Sequence, residues 1–159
     1  MTTIAIEALT PEAFAPFGDV LQATGDPAKI INQGNCGRWH DLAALDFADG
    51  RAGISLFNAN ARALPYTLDM VERHPDGSQC FLPMTEHPWL VIVAADAAGT
   101  PGMPRAFDVP AHTGINLHRG TWHGVLTPLH SPGLFAVVDR IGAGDNLEEY
   151  FFPTPYLVS

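Results

Sequence analysis

Glycine and proline recur along the whole chain, 15 and 14 of them in 159 residues. They cut it into short apolar or alternating stretches that favour strands over helices. The candidate strands are residues 4–6, 18–22, 53–58, 66–74, 79–84, 89–95, 114–117, 122–126, 134–139 and 148–152. About ten short strands with turn residues between them read as an all-β antiparallel sandwich or barrel. One short helix is expected near the start, with Thr10 as N-cap and Pro11 at its first position, ended by Pro16 and Gly18. No linker or internal repeat interrupts the pattern, so residues 1–159 are expected to form a single domain.

Apolar residues make up 47% of the chain and charged ones 16%, a globular balance. The formal net charge is -9, Lys29 is the single lysine, and no basic run exists. Nucleic acid as a partner is excluded, because binding it takes clustered cations. The longest apolar run, 89–95, is too short to cross a bilayer, and no basic-then-apolar leader opens the sequence. A cytoplasmic protein without a membrane partner is expected. Cys36 and Cys80 make no disulfide framework, and Cys80, in an apolar stretch, reads as a core residue rather than a nucleophile.

Strand alternation carries the first functional signal. Along 66–74, Tyr66, Leu68 and Met70 share a face with Glu72 and His74. If that apolar face is the inner one, a carboxylate and an imidazole follow the core stripe to the mouth of the barrel, where they need a reason to be. If the strand ends at Val71, both sit in a solvated turn before Pro75-Asp76-Gly77. A second cluster, 116–123, holds His118, Arg119, Trp122 and His123 around Gly120, and Asp139-Arg140 close a third strand. Groups converging from separate elements are what a metal or acid–base site requires.

Several motifs in one order then resemble a known family. Glu72-Arg73-His74-Pro75-Asp76-Gly77-Ser78-Gln79-Cys80-Phe81-Leu82-Pro83-Met84 and His118-Arg119-Gly120-Thr121-Trp122-His123 resemble the two signature segments of ureidoglycolate lyases. Phe14-x-x-Phe17-Gly18-Asp19-Val20, Ile31-Asn32-Gln33-Gly34, Arg38-Trp39-His40-Asp41-Leu42 and Val138-Asp139-Arg140 fall in the matching places. Two departures stand beside the motifs: Gly124-Val125 where a His-Pro commonly follows, and Asp76 in place of an apolar residue.

The resemblance implies a cupin-type double-stranded β-barrel, or jelly roll, with one or two short helices. It implies a lyase that splits ureidoglycolate, a small anion, into glyoxylate and urea. A double-sheet barrel with an exposed edge frequently pairs with a second copy, so a symmetric homodimer is expected. Laid onto cupin motifs, Glu72, His74, Gln79 and His123 take the metal-ligand positions. They would hold a divalent ion of the nickel, manganese or zinc type, or else form a metal-free polar pocket. His74, His123, His118 and Glu72 are the expected catalytic residues. Gln79 is expected at the ureido group, and Arg119, Arg140, Arg73 and Lys29 are candidates for the substrate carboxylate. Alternatives are a related lyase or hydrolase acting on another ureido- or 2-hydroxy acid, and a non-catalytic cupin that binds a small anion.

Overall fold

The structure is a computed structural model that describes residues 1–159. Strands β1 (Thr2–Ile4) and β2 (Ile6–Ala8) precede helix α1 (Pro11–Phe14) and β3 (Gly18–Leu21). A hairpin follows, β4 (Lys29–Ile31) and β5 (Cys36–Arg38), with a 3-10 turn, Asn32–Gly34, at its tip. Next come β6 (Arg51–Ala59), β7 (Tyr66–Arg73), β8 (Gln79–Pro83) and β9 (Trp89–Ala94). The short β10 (Asp96–Ala97) and β11 (Thr100–Pro101) lead to β12 (Arg105–Val109) and β13 (Gly114–Leu117). Then β14 (Trp122–His123), β15 (Thr127–Pro128), β16 (Gly133–Ile141) and β17 (Glu148–Val158) complete the order.

Two sheets carry the fold. The larger runs β1-β17-β7-β14-β9-β12-β2, with β15 added to β9, and the smaller runs β3-β13-β8-β16-β6. One core cluster takes Trp89, Val91, Val93, Phe107 and Val109 from the larger sheet. The same cluster takes Phe81, Ile115, Leu117, Phe135 and Val137 from the smaller, so it fills the space between the two. Burying each such side chain stabilises by about 1.5–3 kcal/mol. Phe14 caps this core from α1, edge-on to Phe107 at 5.6 Å. The helix starts where expected, with the Ala13 amide donating to Thr10 Oγ1 at 3.1 Å.

The alternate residues of β9, Leu90, Ile92 and Ala94, enter a second cluster with Ile4, Leu68, Val71, Ala106, Trp122 and Val158. That face is covered because β1 pairs with β17 and β2 with β12. The N-terminal segment thus joins both edges of the larger sheet and closes it. The all-β, cupin-type barrel expected from the sequence is what the chain forms, with one helix and one 3-10 turn.

Four expectations change. Strand β12 and the β4–β5 hairpin were not anticipated, and β17 runs on to Val158 through Pro153 and Pro155. A register shift between Phe151 and Tyr156 absorbs those prolines. The same irregularity breaks the alternation of β7. Leu68 and Val71, three residues apart, both pack in the second cluster, so Tyr66 and Leu68 do not share the face of Glu72. The strand nevertheless reaches Arg73, beyond Val71.

Candidate active site

Glu72 lies at the end of β7, directly opposite His123 of β14 in the antiparallel register. The chain leaves β7 through His74 and a tight turn, and re-enters at Gln79, the first residue of β8. Ligand atoms of Glu72, His74 and His123 all lie within 4.8 Å of one another. The two imidazole centroids are 5.2 Å apart. Glu72, His74 and Gln79, with Asp139 and Arg140 from the end of β16 and the loop 142–147, line an open cavity of about 380 Å³. Buried His123 borders a narrow apolar crevice behind it.

Hydrogen bonds fix the orientation of each group. His123 Nδ1–H donates to the Gly124 carbonyl at 3.0 Å, which leaves the lone pair on Nε2. That Nε2 is buried and has no hydrogen-bond partner. His74 Nδ1–H donates to the Asn146 carbonyl at 2.9 Å. Gln79 Nε2–H donates to Asp139 Oδ2 at 3.3 Å, so its Oε1 faces His74 Nε2 at 3.2 Å. Glu72 Oε1 stands 3.9 Å from the same nitrogen. Both ring nitrogens of His74 therefore face acceptor oxygens, an arrangement satisfied by a doubly protonated ring or by a cation in front of Nε2.

Burial sets the electrostatics. It raises the carboxyl of Glu72 above the ordinary range; nearby His74 opposes this, and Glu149, its cross-strand neighbour in β17, adds to it. Burial first, and then His74, lower His123 to about 4, with the Gly124 carbonyl opposing. His123 is therefore neutral at pH 7. A neutral imidazole with an unpartnered lone pair beside a carboxylate and a second imidazole, the latter facing an amide oxygen, fits a divalent cation chemically. Glu72 carboxylate, His74 Nε2, His123 Nε2 and Gln79 Oε1 are the atoms that would hold it.

The remaining candidates lie elsewhere. His118 is turned away from His123 by Gly120 (φ 77°) and faces Asp19 Oδ1 at 3.0 Å. Burial pulls Asp19 up, but hydrogen bonds from Asn116, the Ala44 amide and His118 hold it below the usual range. Arg73 pairs with Asp96 and Glu148 and stacks on Trp122 at 4.4 Å. Arg119 donates to the Pro75 carbonyl and so braces the turn after His74. Lys29 sits on the distant β4–β5 hairpin.

Arg140 does reach the cavity, but its Nε, Nη1 and Nη2 already serve Phe47 O, Ala143 O and Asp49. Gly50 and Gly142 let those loops close on it: a Cβ at either would come within 2.6 Å of a neighbouring heavy atom. Sequence reasoning passed over Asn146 and Glu149. The one available signal was the glycine-rich run Gly142-Ala143-Gly144, a loop able to bring backbone against a side chain. Cys80 is buried and its thiol is pushed up to about 11 by burial and then Asp19, consistent with a core residue.

A double-sheet barrel with two histidines, a glutamate and a glutamine gathered at one end has the architecture of a cupin-type protein. The comparisons narrow the class. A family model described as Ureidoglycolate lyase matches residues 1–159. The chain is 59% identical to "Ureidoglycolate lyase" of Rhodobacter capsulatus over 159 residues, 99% of each chain. It is 50% identical to that of Chelativorans sp. over 158 residues, covering 98% of this chain and 96% of the relative. It is 46% identical to "Ureidoglycolate lyase 2" of Rhizobium meliloti over 160 residues, covering 99% and 98%. The chain belongs to the ureidoglycolate lyase family.

Proposed function

We propose that this single-domain chain is a ureidoglycolate lyase, releasing glyoxylate and urea from a carbinolamide that carries a carboxylate, a hydroxyl and a ureido nitrogen on one carbon. The observation that supports it most is the unpartnered, buried His123 Nε2 aimed at Glu72 and His74. The reaction needs no water. The hydroxyl loses its proton, its electron pair becomes the carbonyl of glyoxylate, the C–N bond breaks, and the ureido nitrogen takes up a proton.

Glu72 is the base for the hydroxyl, because its raised carboxyl is better matched to neutral pH than an ordinary glutamate. His74, flanked by acceptors on both nitrogens, returns a proton to the leaving nitrogen. Lowered to about 4, His123 is too weak a base to lead the proton transfer and serves as a lone-pair donor. Gln79 orients the ureido group while Asp139 holds its amide. A divalent ion held by Glu72, His74, Gln79 and His123 would occupy these same atoms and, in place of the Glu72–His74 proton transfer, supply Lewis acidity toward the substrate carboxylate and hydroxyl. The same reading includes a homodimer acting in the cytoplasm on a small anion, with its chemistry in this pocket rather than at His118, Arg119 or Arg73.

The test is release of urea and glyoxylate from ureidoglycolate by the purified protein, before and after treatment with a strong chelator. Loss on chelation and recovery with one divalent ion supports the loaded site. Activity that survives chelation leaves a metal-free acid–base pair, and no urea under either condition removes the lyase.

A further inference from the structure

Three features find no role within one copy of the chain. The first is the β4–β5 hairpin, whose strands pair only with each other. A lone two-stranded hairpin is marginal in water, yet this one exposes Ile30 and holds Asn32 and Gln33 at left-handed φ of 54° and 57° at its tip. Lys29 and Arg38 are direct cross-strand partners. Like charges so placed repel, and neither joins any of the chain's ion pairs. With His40 they frame a shallow cavity of about 270 Å³.

The second feature is a shortage in the catalytic pocket. Glu72, Asp139 and Asp145 line it, and its one cation, Arg140, is committed to the surrounding loops. An anionic substrate has no free guanidinium to meet there, and no residue of the hairpin lines the pocket of its own chain.

The third is the outward face beside that pocket. Ile54 and Leu56 of β6, the edge strand of its sheet, are 76% and 64% exposed, opposite Val138 and Ala136 of β16. Phe57 and Asp139 of the same two strands line the pocket.

We infer that two copies associate about a two-fold axis, the β4–β5 hairpin of each crossing the other's β6–β16 face to place Arg38 at the mouth of the other's pocket, where it grips the carboxylate of a small 2-hydroxy acid. A cationic hairpin and an acidic pocket on one chain are complementary, and two-fold pairing satisfies both twice. A chain of net charge -9 is repelled by an anionic lipid surface, so the second copy is the occupant. The role of Arg38 rests on the lyase reading; the docking of the hairpin does not.

Docking is tested without activity. Lys29 is the single lysine, so carbodiimide treatment should couple it to a carboxylate of the other copy and give a covalent dimer on a denaturing gel, absent from the Lys29→Arg variant. Sedimentation should find a dimer, and Leu56→Glu should dissociate it. No Lys29-dependent covalent dimer, or a monomeric wild type, overturns the proposal.

The role of Arg38 is tested by mixing variants. Arg38→Ala and His123→Ala should each lose at least about 100-fold in turnover while still unfolding cooperatively. After co-refolding in equal amounts, half the dimers carry one intact pocket, so activity should return to about a quarter of wild type. No recovery, with wild type active, means that Arg38 does not serve the other copy and overturns its role. Cross-linked dimers from a wild type that releases no urea would sink the lyase reading and leave the docking standing.

Discussion

Replacing His123 by phenylalanine removes a group from the pocket and should nevertheless stabilise the cation-free protein. Buried His123 Nε2 lacks a hydrogen-bond partner, and leaving such an atom unsatisfied costs about 1–3 kcal/mol. The variant gives up the Nδ1–H bond to Gly124, worth about 0.5–1.5 kcal/mol. Its larger ring enters a site already bordered by Phe81, Trp89, Leu117 and Leu126. The balance favours the variant by about 1 kcal/mol near neutral pH.

Acid enlarges the gap. The unfolded imidazole titrates near 6.5 and the folded one at about 4. Between those values the unfolded chain binds a proton that the native chain does not. Wild-type stability therefore falls as the pH drops from 6.5 to about 4, by about 3 kcal/mol at 1.36 kcal/mol per tenfold. The phenylalanine variant lacks this dependence, so its advantage should grow to about 4 kcal/mol at the acid end. Urea unfolding with chelator present, at several pH values between neutral and 4, measures both numbers. An advantage that stays constant across that range, or a variant less stable at neutral pH, would refute the reasoning.

Other substitutions probe the neighbours. Glu149→Gln removes the like charge across from Glu72 and should move the acid limb of the pH–rate profile down by a few tenths of a unit; an unmoved limb would separate Glu72 from the base role. Arg140→Met strips three hydrogen bonds from the loops that carry Phe47, Asp49 and Ala143. It should cost about 2–4 kcal/mol in denaturant unfolding and lower kcat, because loop 142–147 positions the Asn146 carbonyl on His74. Gln79→Ala should weaken divalent-ion affinity about 10–100-fold in calorimetric titration; unchanged affinity would take Gln79 out of the ligand set.

What was legible in the sequence was local. Strand ends show in turn residues, so Glu72 and His74 at the end of one apolar strand and His123 in the 116–123 cluster stood out, while Gln79 came with the family motif. Three kinds of information were not local. The phase of β7 depends on an irregularity in β17, about 80 residues later, so alternation alone places Leu68 on the wrong face. His118 and His123 share a motif, yet the positive φ of Gly120 separates them. Asn146 acts through its main-chain carbonyl, which no side-chain pattern reveals. The second apolar cluster was invisible for a related reason. Leu90, Ile92 and Ala94 read as one continuous apolar run with Val91 and Val93, and only the closure of the larger sheet gives each alternate set its own core.

That closure also constrains how the chain is made. Residues 2–4 find their ladder partners at 156–158, about 150 residues later. Strand β1 therefore emerges during synthesis long before its partner and docks late, and until then both margins of the larger sheet lie open to other chains. Because β1 and β17 run parallel, no tight turn could make this pairing local, and the larger sheet cannot close before the strands between them are in place.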